Sequence, residues 1–139
     1  MQARTVNPPR MSSILTYHPK AHKIMKLYIA VLDVFPDYMV PTLVAHSVLA
    51  AHIKFADNLF YHDWLVNSFK KCVLRVNAKE FNKIAMLDDV HLGHENSTLD
   101  GRSACAVICP RKEYPNVLKF AKLWKPNGTT TCSTDSNSV

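Results

Sequence analysis

Glycine is scarce in this chain, with only three among its 139 residues. A phosphate-binding loop of the Gly-rich type needs several closely spaced glycines, so the sequence excludes that kind of nucleotide site. Long apolar runs are also absent, because none reaches the ~18 residues that a membrane-spanning helix needs, and we expect no membrane partner. The apolar pieces of the basic N-terminus are interrupted by Pro8, Pro9 and Pro19, a pattern that does not fit a signal peptide.

Acidic residues are absent from residues 1–24, which hold four of the seventeen basic residues, Arg4, Arg10, Lys20 and Lys23. Residues 25–139 therefore hold thirteen basic and all eleven acidic residues, so the body of the chain is nearly neutral. A broad nucleic-acid surface needs a face of a single charge sign, which only local basic clusters supply in this sequence. Nucleic acid is thus not an expected partner.

The cysteines lie mostly in apolar segments, which suits a reducing cytosol better than a disulfide framework. They are Cys72, Cys105, Cys109 and Cys132. Two pairs with metal-ligand chemistry, His91 with His94 and Cys105 with Cys109, lack the spacing of a zinc site. The two thiols of the second pair would lie about 13 Å apart along a strand, too far to hold one ion. We expect neither a metal ion nor a cofactor.

The chain divides into one folded domain and two flanking segments. Residues 1–24 are basic, rich in proline and without periodicity, and we expect them to be disordered. Residues 25–125 carry the apolar pattern of a single domain with one core. Residues 126–139 form a polar tail with little to bury, which we also expect to be disordered.

Apolar patterns in the central domain alternate between strand-like and helix-like periods. Their order, βααβαββα, predicts an α/β fold in which helices cover a mixed four-stranded sheet. Asn77 and Glu80 have the spacing of a helix-capping box and indicate a helix start. The predicted strands cover residues 27–34, 71–76, 90–95 and 104–109, and the predicted helices cover residues 41–55, 61–69 and 77–87. A last helix follows Pro115 and should bury Leu123, among others.

The predicted helix 41–55 is apolar on opposite sides, with Leu43 on one and both Leu49 and Ile53 on the other. A helix that is apolar on most sides must be covered on most sides. It either lies in the centre of the core or meets another subunit with its second face. His46 on this helix is either a hydrogen-bonded histidine of a packed helix or a ligand-binding residue.

Lys70, Lys71 and Arg75 form a basic cluster close to Trp64 and Phe69. Lys71 and Arg75 lie at even spacing on a predicted strand and therefore share one face of it. One interpretation is a solvated rim of the sheet. The other is a rim that faces phosphate, beside an aromatic wall on which a base stacks.

The loop between the last two predicted strands is rich in small hydrogen-bonding groups, and basic residues flank the strand that follows. Asn96, Thr98 and Arg102 precede or begin that strand, and Arg111 and Lys112 come after it. These residues are either ordinary loop and turn residues or the contacts of a nucleotide. In the second interpretation, the amide and hydroxyl groups contact base and ribose, and the planar guanidinium groups each bind two phosphate oxygens.

Residues 27–54 resemble the opening of the type 2 peptidyl-tRNA hydrolases. In those enzymes a Met-x-x-Gly-Lys-x-Ala-Ala-Gln-x-x-His-Ala string supplies the catalytic lysine. Counted from Met39, the Gly-Lys positions hold Thr42 and Leu43, the Gln position holds Ser47, and the His position holds Ala50. A leucine cannot stabilise the oxyanion of an ester hydrolysis. The resemblance therefore implies a related scaffold without the catalytic group, and not an enzyme.

The combination of "LVAHSVLAAH", "HENSTLDGRSACAV" and "PRKEYPNVLKFAKLWKP" resembles small phage proteins of the Thoeris anti-defence family, over about residues 26–126. That family is built on the same scaffold. Its members assemble as oligomers and sequester cyclic ADP-ribose-type signals made by bacterial TIR enzymes without cleaving them, and some also bind cyclic oligonucleotides.

The resemblance implies a homo-oligomer that acts in the cytoplasm of an infected bacterial host and binds a cyclic ADP-ribose isomer or a related cyclic nucleotide. Loop position and side-chain chemistry supply the candidate contacts: Arg and Lys for the two phosphates, and an aromatic or Met wall for the adenine. The candidate ligand-binding residues are Met39, His46, Phe69, Lys71, Asn96, Thr98, Arg102, Arg111 and Lys112.

Two other functions remain open at this point. The first is an active peptidyl-tRNA hydrolase whose catalytic group has moved to another position, with His46 oriented by a carboxylate such as Glu95. The second is a tRNA-binding or protein-binding adaptor, which the basic residues 1–24 would fit.

Overall fold

A computed structural model describes residues 25–94 and 103–127 of the protein. Within these ranges five strands form one mixed sheet in the order β3-β4-β1-β2-β5. The strands are β1 (Lys26–Leu32), β2 (Lys70–Val76), β3 (Val90–His94), β4 (Ser103–Ile108) and β5 (Lys122–Leu123). The helices are α1 (Val40–Lys54), α2 (Leu59–Asn67), α3 (Ala78–Ala85) and α4 (Asn116–Lys119), and a 3-10 turn, Asp37–Met39, precedes α1.

The sheet combines one parallel pair with three antiparallel pairs. β1 is parallel to β2 and antiparallel to β4, while β2 pairs with β5 and β3 pairs with β4 in antiparallel fashion. The helices α1 and α2 form the long crossover that a parallel strand pair requires. The predicted α/β class with a mixed sheet is confirmed, and the sheet has five strands where the sequence predicted four.

The core has one layer on each face of the sheet, because side chains of a strand alternate between the faces. Leu27, Ile29 and Val31 of β1 point towards α1 and α2, while Ala30 and Leu32 point towards α3 and α4. The strands β1 and β4 are thus covered on both sides, which explains their nearly continuous apolar sequences. Helices α1 and α2 are the elements that bring candidate site residues to the first face.

The segment after Pro115 corrects the predicted last helix. Helix α4 ends at Lys119, and the chain then adds the short outer strand β5 to the sheet. Leu123 is 59% exposed, so the prediction that it is buried is wrong. Trp124 packs against the core instead, and its backbone N–H donates to the carbonyl of Val73. Pairing with β2 satisfies backbone groups that a longer helix would have bonded internally.

Gly93 allows α1 to approach the sheet closely. A Cβ atom at this position would lie 2.1 Å from Oγ and 3.1 Å from Cβ of Ser47. Ser47 is buried on the side of α1 that faces β3 and β4. Any larger residue at position 93 would push the helix away from the strand.

The sheet has two ends that matter for the site. At the proximal end β1 and β2 begin and β4 ends, since Lys26 pairs with Lys70 and Tyr28 pairs with Ile108. At the distal end β1 finishes and leads into the turn before α1. The two ends lie about 20 Å apart, because β1 has seven residues at roughly 3.3 Å each.

Candidate functional site

The first turn of α1, at the distal end, carries no ammonium group. Pro41 lies in this turn, Thr42 is exposed, and the side chain of Leu43 is 1% exposed in the core. Met39 is half-buried and packs against the same core. At the position where the hydrolase resemblance expects a catalytic lysine, this chain therefore has a leucine whose side chain stabilises the fold.

Arg75 reaches the turn before α1 from β2, but its charge is paired there. Its Nη2 donates to Oδ1 of Asp37 at 3.2 Å and to the carbonyl of Lys125 at 2.5 Å, and the guanidinium lies 5.1 Å from the Trp124 ring centroid. The backbone N–H of Asn127 donates to the second carboxylate oxygen of Asp37 at 2.6 Å. We call Asp37, Arg75, Trp124 and Asn127 the carboxylate latch.

The carboxylate latch holds Asp37 in its charged form. The N–H of Asn127, and after it the guanidinium of Arg75, lower the pKa of Asp37 below its ordinary value. Both groups favour a carboxylate over a carboxylic acid. Arg75 therefore joins the turn, β2 and the C-terminal segment, and it is not a free cation for ester chemistry.

A second constellation, at the proximal end, has the character of a ligand platform. The rings of Trp64 and Phe69 stack with centroids 5.5 Å apart and an interplanar angle of 28°. Lys71 Nζ lies 3.3 Å from the Phe69 centroid and 5.4 Å from the Trp64 centroid, and it donates to the carbonyl of Phe69 at 2.7 Å. The indole N–H of Trp64 donates to the carbonyl of Lys70. We call Trp64, Phe69 and Lys71 the aromatic platform.

Phe69 adopts an unfavourable backbone conformation in the aromatic platform. Its φ is 61°, in the left-handed region just after the end of α2, where glycine is the usual residue. A residue with a Cβ costs roughly 1–2 kcal/mol in this conformation. Its N–H donates to the carbonyl of Trp64 at 2.7 Å, and yet the side chain stays 57% exposed. An exposed aromatic in a strained position is typical of a functional site.

Arg111 and Lys112 also lie at the proximal end, beyond the end of β4. The guanidinium of Arg111 donates to the carbonyls of Asp88 and Cys109, while Lys112 is exposed. Because β4 and β2 flank β1, the axes of the strand that leads to Arg111 and of the strand that carries Lys71 are about 10 Å apart. Arg111 therefore joins the segment before β3 to the segment after β4 through these backbone carbonyls. The exposed ammonium group of Lys112 is accessible to a ligand.

Tyr114 links this region to the start of β1. Its hydroxyl accepts from the N–H groups of Lys26 and Arg111 and donates to the carbonyl of Lys26 at 2.7 Å. Its ring meets the edge of Tyr28, and burial raises the pKa of Tyr114. No local pattern predicts this contact, because the pairing of β1 with β4 brings positions 26 and 114 together.

The outer side of α1 carries His46 together with exposed apolar residues. His46 is exposed and has no hydrogen-bond partner among the described residues. Leu49 and Ile53 are 65% and 71% exposed on the same helix. Leu43 and Ser47 on the opposite side are buried, so the fold of one chain covers only one of the two apolar sides predicted for this helix.

The buried thiols of Cys105, on β4, and Cys109, directly after β4, have low reactivity. Burial raises the pKa of Cys105 to about 11, against a smaller lowering by the Ser47 hydroxyl. Burial, with a smaller contribution from Asp89, raises the pKa of Cys109 to about 12. Both are protonated near neutral pH and are therefore poor nucleophiles.

The predicted site residues that the structure describes lie in three places. Met39 lies at the distal end, while Phe69, Lys71, Arg111 and Lys112 lie at the proximal end about 20 Å away. His46 lies on the outer side of α1. The predicted contacts Asn96, Thr98 and Arg102 lie outside the described residues. The proximal group contains the side chains with the geometry to receive a base and a phosphate.

No protein-family model matches the chain, and no curated protein matches it significantly. Within the described ranges no helix is both long enough and apolar enough to cross a membrane.

Proposed function

We propose that this protein binds and sequesters a cyclic ADP-ribose-type signal, or a related cyclic nucleotide, without cleaving it. In this way it would block a Thoeris-like bacterial defence in the cytoplasm of the infected host. The observation that carries the proposal is the aromatic platform, in which an exposed, strained Phe69 ring stands beside the ammonium of Lys71.

The platform fits the chemistry of a nucleotide. Stacking of one base on an aromatic side chain contributes roughly 1–3 kcal/mol, and any base offers the required face. Lys71 uses one N–H on the carbonyl of Phe69 and keeps further donors for a phosphate oxygen. Lys112 at the same end of the sheet is a candidate for the second phosphate.

Capture without cleavage agrees with the distal end of the sheet. Ester or anhydride hydrolysis needs a cation or another donor that stabilises developing negative charge. Leu43, in the first turn of α1, is buried in the core, and the charge of the nearby Arg75 is neutralised by Asp37. A tight-binding protein without turnover needs no such donor.

The second apolar side of α1 supports the proposal of a homo-oligomer. Leu49 and Ile53 are exposed one turn apart, with Ala45 one turn before them. Burying such side chains against a second copy is favourable by roughly 1.5–3 kcal/mol for each large residue that becomes fully covered. A face of this kind suits self-association through two-fold symmetry.

Isothermal titration with a cyclic ADP-ribose isomer tests the proposal. We expect nanomolar binding, about −12 kcal/mol, and recovery of the unchanged ligand after heat denaturation. Lys71→Gln and Phe69→Leu should each weaken binding at least tenfold, whereas Lys79→Gln on the exposed side of α3 should not. Recovery of a hydrolysed ligand would contradict capture without cleavage.

An assay for release of the peptide from diacetyl-lysyl-tRNA tests the alternative function, an active peptidyl-tRNA hydrolase. Catalytic turnover in that assay would favour a hydrolase with a relocated catalytic group. Its absence, together with tight binding of the cyclic nucleotide, supports the proposed capture function.

A further inference from the structure

Six exposed lysines lie on β1, β2, α4 and the segment of β5. The strand register directs Lys71 and Lys122 to the face of α1 and α2, and Lys26 and Lys70 to the face of α3 and α4. Strand β5 pairs with β2, with Lys122 opposite Arg75, and β2 pairs with β1, with Lys70 opposite Lys26. Basic positions that are 44 and 47 residues apart in the sequence thereby become neighbours. We call these residues the basic edge: Lys26, Lys70, Lys71, Lys119, Lys122 and Lys125.

The charges of the basic edge are not compensated locally. Within residues 25–94 and 103–127, none of the six lysines forms an ion pair with a carboxylate. Asp37 lies beside β2, and Arg75 neutralises its carboxylate. Lys26 and Lys70 are register partners on the adjacent parallel strands β1 and β2, so their like charges repel each other.

The rest of the described surface has the opposite balance. Apart from the basic edge and the Arg75–Asp37 pair, the described residues hold five basic and seven acidic side chains. The nearly neutral total therefore hides a strong separation of charge. A separation of this kind steers a polyanion to one side of a protein.

Two exposed rings are adjacent in sequence to lysines of the basic edge. Phe69 directly precedes Lys70, and Phe120, which is 78% exposed, directly follows Lys119. Lysines that follow a phosphate backbone, together with rings on which bases stack, are the two components of single-strand binding surfaces. Duplex nucleic acid offers its phosphates but hides the faces of its bases, so it would leave the rings unused.

We infer that the basic edge is a binding surface for single-stranded nucleic acid, in addition to the proposed capture of a cyclic nucleotide. The strand would run along the edge formed by β2 and β5, where Lys70 from one face, Lys122 from the other and Lys125 would bind its phosphates, and Phe69 and Phe120 would contact its bases. β2 is about 20 Å long, so the surface spans a short run of nucleotides. The inference shares Phe69 and Lys71 with the aromatic platform, but Lys122 and Lys125, which the experiment changes, lie outside that platform.

Fluorescence anisotropy with a labelled dT20 oligonucleotide at 50 mM salt tests the inference. The wild-type protein should bind, and Lys122→Gln together with Lys125→Gln should weaken binding at least tenfold. The matched control, Lys79→Gln with Lys83→Gln on α3, removes the same charge and should change affinity less than threefold. The slope of log K against log salt concentration should become less steep by about 0.7 for each phosphate contact that is lost.

The possible outcomes separate this surface from its alternatives. Failure of the wild-type protein to bind dT20, or equal losses in both double variants, overturns the inference. A third outcome also overturns it: the wild-type protein binds vesicles with 30% phosphatidylserine but no oligonucleotide, and the Lys122 and Lys125 variant loses the vesicle binding. The basic edge would then be a membrane-binding surface. If the Lys122 and Lys125 variant fails to fold by circular dichroism, Lys70→Gln with Lys119→Gln replaces it.

The same variants keep the two proposals distinguishable. The Lys122 and Lys125 variant should bind a cyclic ADP-ribose isomer as tightly as the wild-type protein does. Loss of oligonucleotide binding with full retention of the cyclic nucleotide supports a separate surface. Loss of both ligands would mean that the two proposals describe a single site, and would overturn the inference of an additional surface.

Discussion

The carboxylate of Asp37 accepts a hydrogen bond from the guanidinium of Arg75 at 3.2 Å, across 38 positions of sequence. This contact joins the turn before α1 to the second half of β2. The N–H of Asn127 binds the same carboxylate, so three separate segments meet at one side chain. The latch therefore stabilises the distal end of the sheet only while Asp37 is charged.

Asp37→Asn should reduce the loss of stability in acid. The pKa of Asp37 is lowered, so its contribution is fully present above about pH 3.9, the ordinary value for Asp, and is lost as pH falls through the folded-state pKa below that value. Denaturant midpoints measured from pH 6 down to pH 2 check this. The control is Asp57→Asn, at an exposed position without an ion pair among the described residues. It should follow the wild-type protein. If the midpoint falls equally with pH in the wild-type protein and both variants, the result argues against the latch.

Phe69→Gly should leave the free energy of unfolding within about 1 kcal/mol of the wild-type value. Relief of the left-handed strain, roughly 1–2 kcal/mol, offsets the lost stacking on Trp64, roughly 0.5–1.5 kcal/mol. Phe69→Ala keeps the strain and loses the ring, so it should be less stable than the glycine variant by about 0.5–1 kcal/mol. Urea denaturation of both variants measures the difference, and an alanine variant as stable as glycine would exclude strain at position 69.

Gly93→Ala should destabilise the fold by roughly 1–3 kcal/mol, as overpacking of a tight contact does. The added methyl group would lie 2.1 Å from Oγ of Ser47, so the loss should depend on that hydroxyl. Ser47→Ala in the same protein should restore part of the stability. A double-mutant cycle by denaturation checks the coupling; strictly additive effects would mean that α1 moves away from β3 in another way.

Leu49→Asp should convert the proposed homo-oligomer to a monomer without unfolding it. The side chain is already exposed in the single chain, so an aspartate costs little there but would be buried unpaired in an interface. Light scattering after gel filtration measures the mass. Val66→Asp, an equally exposed apolar position on α2, serves as the control. An unchanged oligomer for Leu49→Asp would remove α1 from the interface.

Local patterns predicted most of the fold because they reflect contacts close in sequence. The capping box is present, with Asn77 Oδ1 accepting from the N–H of Glu80 and Glu80 Oε1 accepting from the N–H of Asn77. The strands β1 and β4 and helix α1 lie within a few residues of their predicted bounds. Strand β5 has only two residues, too few for a periodic signal, and it forms because β2 offers an unpaired edge.

The site was less readable than the fold. Lys71 and the aromatic wall were predicted together, and the structure brings them together in the aromatic platform. Arg75, predicted to share their rim, is paired with Asp37 instead, because the chain returns at Asn127 to complete the latch. The left-handed backbone of Phe69 has no sequence signal, since glycine marks such positions and is missing here. The separation of charge depends on long-range strand pairing, which a count of residues cannot reveal.

Strand β5 also determines how copies of the protein can meet. A sheet edge attracts further strands unless it is short or carries lysine or proline. β5 is two residues long, begins with Lys122 and is followed by Lys125 and Pro126. This edge of the sheet therefore disfavours the strand-by-strand pairing by which copies would grow into fibrils.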